Sequence, residues 1–450
     1  MSSSIIPSRT CALRQGNTEQ CKWSAGHTRR CRAKYTAYPR GHKPPHVAVS
    51  QRHVQFGNAS QRQFEFRASC KPYAGQLCPM FRGPCRPASP GRDRVCFRAG
   101  RGIVLSSSGA HTPAVLVVGP AWVGDMVMAQ SLFMTLKQRE PAPAVDVIAP
   151  AWSLPILERM PEVRRPIPLP VGHGELALGR RWHLGRSLRY AHYQQAIVLP
   201  RSAKAAVPAF ASGIPRRTGY RGELRYGLLN DIRPLDRQRL YRTVDRFVAL
   251  GHAPDAPQPP PIPEPRLEIS ERGRDEARIA LGLGNQDAPV LALCPGAEYG
   301  PSKRWPAEHY AEVARARLTA GWQVWLFGSQ KDRPVTQAIA EAAPGCADLA
   351  GRTQLGQAID LLACADLVIT NDSGLMHIAA ATGRPVIAVY GSSDPGYTPP
   401  LTSHRRILHL GLECSPCFQR ECPLGHLNCL RKLAPEQVLE AADALHGERR

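Results

Sequence analysis

A chain of 450 residues with 43% hydrophobic side chains is too long for one ordinary domain and too apolar to be disordered throughout. The net charge of +22 suggests nucleic acid only until it is located. Residues 1–110 carry 19 Lys+Arg against three acids (Glu19, Glu65, Asp93), whereas residues 111–450 carry 39 against 33.

The larger part is therefore a mildly basic globular chain. It has no aromatic stacking platform, zinc-finger spacing or helix-turn-helix pattern, which argues against a nucleic-acid binder. No apolar run reaches the roughly 18 residues of a membrane-spanning helix. No apolar stretch follows the N-terminal basic residues, so no secretory signal is expected. The chain reads as cytosolic, where structural disulfides are rare.

Residues 1–110 show neither helical nor strand periodicity and offer little to bury, the composition of a disordered extension. Seven of the 14 cysteines fall here without metal-ligand spacing. Three readings fit: a basic tail on acidic lipids, a transit peptide, or upstream sequence translated from a wrong start. The abrupt onset of patterned sequence at Ala114 favours the last.

From Ala114 the texture changes. Val115–Val118 is a continuous apolar run, as in a strand buried on both faces of a parallel sheet. A turn over Gly119–Gly124 leads to a predicted helix, Asp125–Arg139. Val145–Ile148 and Ala196–Leu199 are further strands, the latter followed by a basic loop and a short helix. This alternation predicts a doubly wound α/β domain over residues 111–253.

Residues 254–266 are proline-rich and read as a semi-rigid linker. The alternation then restarts over residues 267–450. Strands are expected at Val290–Leu293, Gln323–Phe327, Leu367–Thr370 and Val386–Tyr390. Helices are expected at Ala307–Ala320, Leu355–Cys364, Leu375–Ala381 and Pro435–His446. Two such halves create a cleft, and open α/β sheets bind ligands beyond the carboxyl ends of their strands.

Five groups of residues could carry chemistry. In Gly119-Pro-Ala-Trp122-Val-Gly124-Asp125, the glycines allow close backbone approach to a ligand. Asp125 is either a general base for an attacking hydroxyl or a helix cap. The pattern is not GxGxxG, so a nicotinamide site is disfavoured. The stretch Pro295–Pro306 places Gly296, Lys303 and Arg304 between a strand and a helix. It suits a diphosphate, or is simply a solvated basic turn.

In Thr370–His377, Asp372, Ser373 and Gly374 open a helix whose free N–H groups form an anion site. His377, one turn inside, either faces a ligand or packs. Cys414, Cys417, Cys422 and Cys429, with His426 among them, fit a structural zinc site, a loop of free thiols, or a redox-sensitive pair. Finally, Arg201, Lys204, Arg216, Arg217, Arg221 and Arg225 form a basic stretch suited to phosphates and carboxylates, or a solvated face.

Taken together, GPAWVGDMVMAQSL (119–132), APAWSLPILERMPEV (149–163), GIPRRTGYRGELRYGLLND (213–231), CPGAEYGPSKRWP (294–306) and TNDSGLMHIAAA (370–381) resemble the heptosyltransferases of glycosyltransferase family 9. The resemblance runs from about Ala114 to about His446, and residues 1–110 lie outside it. It implies a GT-B fold, two Rossmann-like domains facing across a cleft. The first would hold the acceptor and the second an ADP-sugar, with the final helix crossing back to the first domain.

The implied reaction is inverting transfer of L-glycero-D-manno-heptose from ADP-heptose to the first heptose of the lipopolysaccharide inner core. The acceptor would be heptosyl-Kdo2-lipid A. Transfer of the first or third heptose is the alternative, and a basic nucleic-acid-binding protein a remote one. No cofactor is implied for catalysis. By resemblance, Asp125 is the base and Lys303 lies near the donor phosphates. Gly296, Asp372, Ser373, Gly374 and His377 join the donor site, and Asp332 would meet the ribose. Trp122, Arg201, Lys204, Arg217 and Arg221 would meet the acceptor. The enzyme would work at the cytoplasmic face of the inner membrane.

Overall fold

The structure, a computed structural model, describes residues 112–172, 174–284 and 287–447. The expected extension over residues 1–110 lies outside the described residues. Within one compact unit of the chain, the described residues form two six-stranded parallel sheets.

The first domain runs β1 (Ala114–Val118), α1 (Val123–Lys137), β2 (Ala144–Pro150), α2 (Leu154–Leu157), β3 (Val163–Leu169), α3 (Leu178–Ser187), β4 (Gln195–Val198), α4 (Ala203–Ala211), β5 (Arg216–Tyr220), β6 (Asp231–Arg233) and α5 (Thr243–Ala249). The second runs α6 (Glu271–Leu281), β7 (Val290–Cys294), α7 (Ala307–Thr319), β8 (Gln323–Leu326), α8 (Arg333–Ala342), β9 (Ala347–Asp348), α9 (Leu355–Leu362), β10 (Leu367–Asn371), α10 (Gly374–Ala381), β11 (Val386–Val389), β12 (Arg405–Leu408), α11 (Asn428–Arg431) and α12 (Pro435–Gly447).

The strand orders are β3-β2-β1-β4-β5-β6 and β12-β11-β10-β7-β8-β9. Both reverse direction beside their first strand, between β1 and β4 and between β7 and β10. Loops after these strands open into the crevice where doubly wound sheets bind ligands. The sequence explains the strands' depth: β1 and β7 are apolar at every position and wholly buried. The GT-B architecture implied by the resemblance is the one observed.

Several expectations are adjusted. Helix α1 begins at Val123, so Asp125 lies inside its first turn, and Trp122 occupies the cap position without a side-chain cap bond. The final helix does not cross to the first domain. Instead α12 packs on α7 and on the second sheet. Its Val438, Ala442 and Leu445 join that domain's core, and Asp443 pairs with Arg317 at 2.7 Å. The apolar positions of α12 match a groove on its own domain, so burial is satisfied locally.

Between α5 and α6 the proline-rich chain carries neither strand nor helix. Nearby bonds tie it to both domains. Gln130 of α1 bonds the backbone of Arg266 through both its amide atoms, and Leu267 N–H donates to Ala381 O at 2.8 Å.

Candidate active site

The two domains meet where α1 and α10 start. Gly374 is so close to α1 that a Cβ there would lie 2.7 Å from Val123 Cβ. Gly124 is as tight: its Cβ would lie 2.5 Å from Cδ2 of His377. Helix α1 is apolar and buried around almost its whole circumference because α5, α10 and its own sheet all cover it. The two glycines are therefore what lets two helix N-termini, each rich in free N–H groups, converge on one space.

That space is a cavity of about 870 Å³. The first domain contributes Trp122, Gly124, Asp125 and Trp152; the second contributes Glu298, Tyr299, Lys303, Asp372, Ser373, Gly374, His377 and Tyr397. An adjoining cavity of about 710 Å³ lies within the first domain and shares Trp122, Asp125 and Trp152 with it. Asp125 thus stands at the junction of an interdomain chamber and a first-domain chamber. Burial, and then the nearby Asp372 carboxylate, push the Asp125 carboxyl up to about 6, against the opposing pull of Lys303. The cap position of α1 belongs to Trp122, and Asp125 lies in the helix's first turn.

On the facing domain, Lys303 Nζ lies 2.5 Å from Asp372 Oδ2 and 4.9 Å from the centre of the Tyr299 ring. Ser393 Oγ donates to the same Asp372 oxygen at 2.6 Å. Asn371 fixes the distance between these loops. Its Oδ1 accepts from Trp305 N–H and from the Tyr310 hydroxyl, and its Nδ2 donates to Pro295 O. His377 is buried, and desolvation pushes it down to about 4, helped by Lys303 and opposed by Asp372. It is a neutral imidazole at neutral pH, packed on Gly124 and lining the cavity.

Gly296 and Asp332 lie together. A Cβ on Gly296 would meet the Asp332 carboxylate at 2.5–2.7 Å. Asp332 Oδ2 accepts from Ser329 N–H and Oγ. Both residues line a smaller cavity of about 290 Å³ with Thr353, Ser373 and Gly374.

The basic stretch is dispersed. Of its members only Lys204 lines the first-domain cavity, where its Nζ bonds Gly174 O at 2.9 Å. Arg201, Arg217 and Arg221 do not line it. Arg217 is held by Leu228 O and Ile214 O under the Phe210 ring, and buried Arg225 is consumed by Pro200 O and Tyr220 O. Arg181, Trp152, Tyr299, Asn371, Ser393 and Tyr397 were not singled out from sequence. Their roles depend on contacts between distant segments.

The four-cysteine loop braces the lysine loop. Ser302 N–H and Oγ bond Arg420 O and Gln419 O, and Tyr299 OH bonds Phe418 O. A Cβ on Gly300 would lie 2.5 Å from Arg420 O. Cys414, Cys417, Cys422, Cys429 and His426 line one small cavity of about 20 Å³. The backbone amide of Leu427, with those of Leu424, Gly425 and His426, pulls the Cys422 thiol below its ordinary value. As placed, among the described residues, no three such side chains are gathered in a ligand geometry.

Two doubly wound domains, with a buried carboxyl on one and a lysine and a helix N-terminus on the other, define a glycosyltransferase of the GT-B class. The chain belongs to glycosyltransferase family 9: the family model described as "Glycosyltransferase family 9 (heptosyltransferase)" matches residues 181–428. It is 46% identical to lipopolysaccharide heptosyltransferase 2 of Escherichia coli over 343 residues, 74% of this chain and 98% of that one. It is 44% identical to lipooligosaccharide heptosyltransferase 2 of Haemophilus influenzae, covering 74% and 99%. The solved structure of E. coli ADP-heptose lps heptosyltransferase II superposes with a TM-score of 0.67 at 43% identity, covering 75% of this chain and 99% of that one. E. coli heptosyltransferase WaaC with ADP shares the fold at 20% identity and a TM-score of 0.55, covering 74% and 99%.

Proposed function

We propose that this enzyme transfers L-glycero-D-manno-heptose from ADP-heptose to the first heptose of the lipopolysaccharide inner core, with inversion at the anomeric carbon. The observation that carries the chemistry is Asp125, facing Lys303 and the α10 N-terminus across one interdomain cavity. The acceptor occupies the first-domain chamber and the donor the second domain.

Asp125 takes the proton of the attacking hydroxyl as the acceptor oxygen forms its bond to the anomeric carbon. The bond from that carbon to the β-phosphate oxygen breaks, and its electron pair leaves with ADP. Lys303 and the N–H groups of Ser373 and Gly374 stabilise the charge gathering on the departing diphosphate. Gly296 and Asp332 sit where the nucleoside end would lie. Closure of the two domains excludes water that would hydrolyse the donor. The acceptor is lipid-anchored, so the enzyme works at the cytoplasmic surface of the inner membrane. Family membership and the identity to enzymes named heptosyltransferase 2 support this reading.

The clustering of Cys414, Cys417, Cys422 and Cys429 around one small cavity supports a structural ion such as zinc, although as placed their side chains are not gathered in a ligand geometry. Bound there, the ion would hold the loop that braces Ser302 and Tyr299. It would leave no open position for substrate.

The test is a transfer assay with the full chain, ADP-L-glycero-D-manno-heptose and an acceptor bearing one heptose. ADP release with a second heptose on the acceptor is expected. Activity only on the heptose-free acceptor would make it the first-heptose enzyme, and activity only on a longer core the third. No transfer to any of them would overturn the reading.

A further inference from the structure

The exposed apolar side chains are not spread evenly. Seven of the thirteen large ones among the described residues fall between residues 176 and 226: Leu176, Leu178, Trp182, Tyr190, Phe210, Leu224 and Tyr226. Leu224 is 89% exposed and Tyr190 86%, values that a single soluble domain has no packing reason to keep. The same segment holds ten Lys+Arg against one acid, Glu223. Arg180, Arg186, Arg189, Arg201 and Arg221 are all exposed.

Packing gathers these residues onto one side of the first domain. Gly185 of α3 is pressed against Pro208 O and Ala211 of α4, where an added Cβ would lie 2.4 Å from the carbonyl. Trp182 of α3 then meets Phe210 of α4 with ring centres 6.1 Å apart. The 221–228 loop joins them. Arg201 Nε donates to Arg221 O, and Ala203 N–H to Glu223 Oε2. Leu176, Leu178, Lys204 and Leu228 line one shallow depression. That depression shares Gly174 and Lys204 with the acceptor chamber.

We propose that this α3–α4 face, with the 221–228 loop, docks on an anionic lipid surface. The inference rests on the reading that the acceptor is lipid-anchored, and it names the part of the molecule that meets the lipid. Aromatic and leucine side chains enter the interface between headgroups and acyl chains, while arginines pair with lipid phosphates. Among the described residues no helix is long and apolar enough to cross a membrane. Docking here brings the mouth of the acceptor chamber to the lipid, so a headgroup sugar reaches Asp125 without leaving its anchor. Charge decides the occupant: the exposed Arg186, Arg189, Arg201 and Arg221 select acidic lipid over a neutral surface.

The basic residues 1–110 would also draw the chain to acidic vesicles, so bulk vesicle binding is not the test. Hydrogen exchange, read peptide by peptide on the full chain, locates the contact. Phosphatidylcholine vesicles containing phosphatidylglycerol should slow exchange in peptides covering 176–190 and 221–228, and pure phosphatidylcholine should not. Slowing confined to residues 1–110 or to the second domain, or none at all, overturns the proposal. A variant carrying Trp182→Ser, Leu224→Ser, Arg186→Gln and Arg189→Gln provides a second arm. Its KM for acceptor in vesicles should rise at least tenfold, on an expectation of about fivefold per arginine removed. Its turnover of a deacylated, water-soluble acceptor should not change. An unchanged KM on vesicles overturns the docking face. Failure of the unmodified chain on the soluble acceptor would instead count against the proposed function.

Discussion

Lys303 Nζ sits 2.5 Å from Asp372 Oδ2, and the pair joins the loop after β7 to the loop after β10 across the switch point of the second sheet. Both groups also act on Asp125 of the opposite domain, Asp372 raising its pKa and Lys303 lowering it. One ion pair thus fixes the position of Lys303 and acts on the Asp125 carboxyl.

Replacing Asp125 by Asn separates the base from a helix cap. Transfer should fall by about 10²–10⁴-fold, with ADP binding by calorimetry nearly unchanged. Stability should rise. A carboxyl whose folded pKa is about 6 costs stability as pH climbs from the ordinary carboxylate value to 6, and the cost persists above it. The neutral amide removes it, so the melting temperature at pH 7.5 should increase. A fall in melting temperature would show that Asp125 caps α1.

The pH dependence follows from the same shift. Activity needs ionised Asp125, so kcat/KM should drop tenfold per pH unit below about 6 and level off above it. Lys303→Ala removes the charge that holds this pKa down. Its acidic limb should therefore move to higher pH, while the plateau falls by about 10²–10³-fold from lost stabilisation of departing ADP. A lowered plateau with an unmoved limb would separate Lys303 from Asp125. Because His377 is pushed down to about 4, it should contribute no inflection between pH 5 and 8.

Gly374→Ala tests the contact between domains. The new Cβ would lie 2.7 Å from Val123 Cβ, a branched carbon on a buried helix that has no room to retreat. Overpacking of this kind typically costs about 1–3 kcal/mol, measurable by urea denaturation, and it forces α1 and α10 apart. Donor affinity should weaken as the anion site moves away from Asp125. Wild-type stability in this variant would mean that the helix pair separates freely.

The cysteine loop makes a metal prediction. Full-length protein purified without chelator should carry one equivalent of zinc by elemental analysis, and Cys417→Ser or Cys429→Ser should lose it. Removing the ion should lower the melting temperature and loosen the segment around Ser302, seen as faster hydrogen exchange there. Metal far below one equivalent, with all four thiols reacting at once with a disulfide reagent, would leave the loop as packed free thiols.

Much of the fold was legible because buried parallel strands leave continuous apolar runs: β1, β7, β10 and β11 stand out by composition alone. Strand β3 did not, since its VRRPIPL carries two prolines and two arginines on a sheet edge. Helix α3 did not either, because Arg180, Trp182 and Arg186 face outward and its buried positions are Arg181 and Gly185, neither an apolar side chain. Asp125, Lys303 and the Asp372–Gly374 turn were readable because each follows a legible strand at a point where a doubly wound sheet opens.

The sequence by itself determined the two α/β halves, the loops that line the interdomain cavity, and the family motifs, all of which are local in the chain. Tertiary structure decided which loops meet. It put Gly124 against His377 and paired Lys303 with Asp372, contacts spanning 253 and 69 residues of chain. It withdrew Arg217 and Arg225 into backbone contacts and kept α12 on its own domain. Such outcomes depend on which surfaces bury each other best, and that free energy belongs to pairs of distant segments rather than to any one of them.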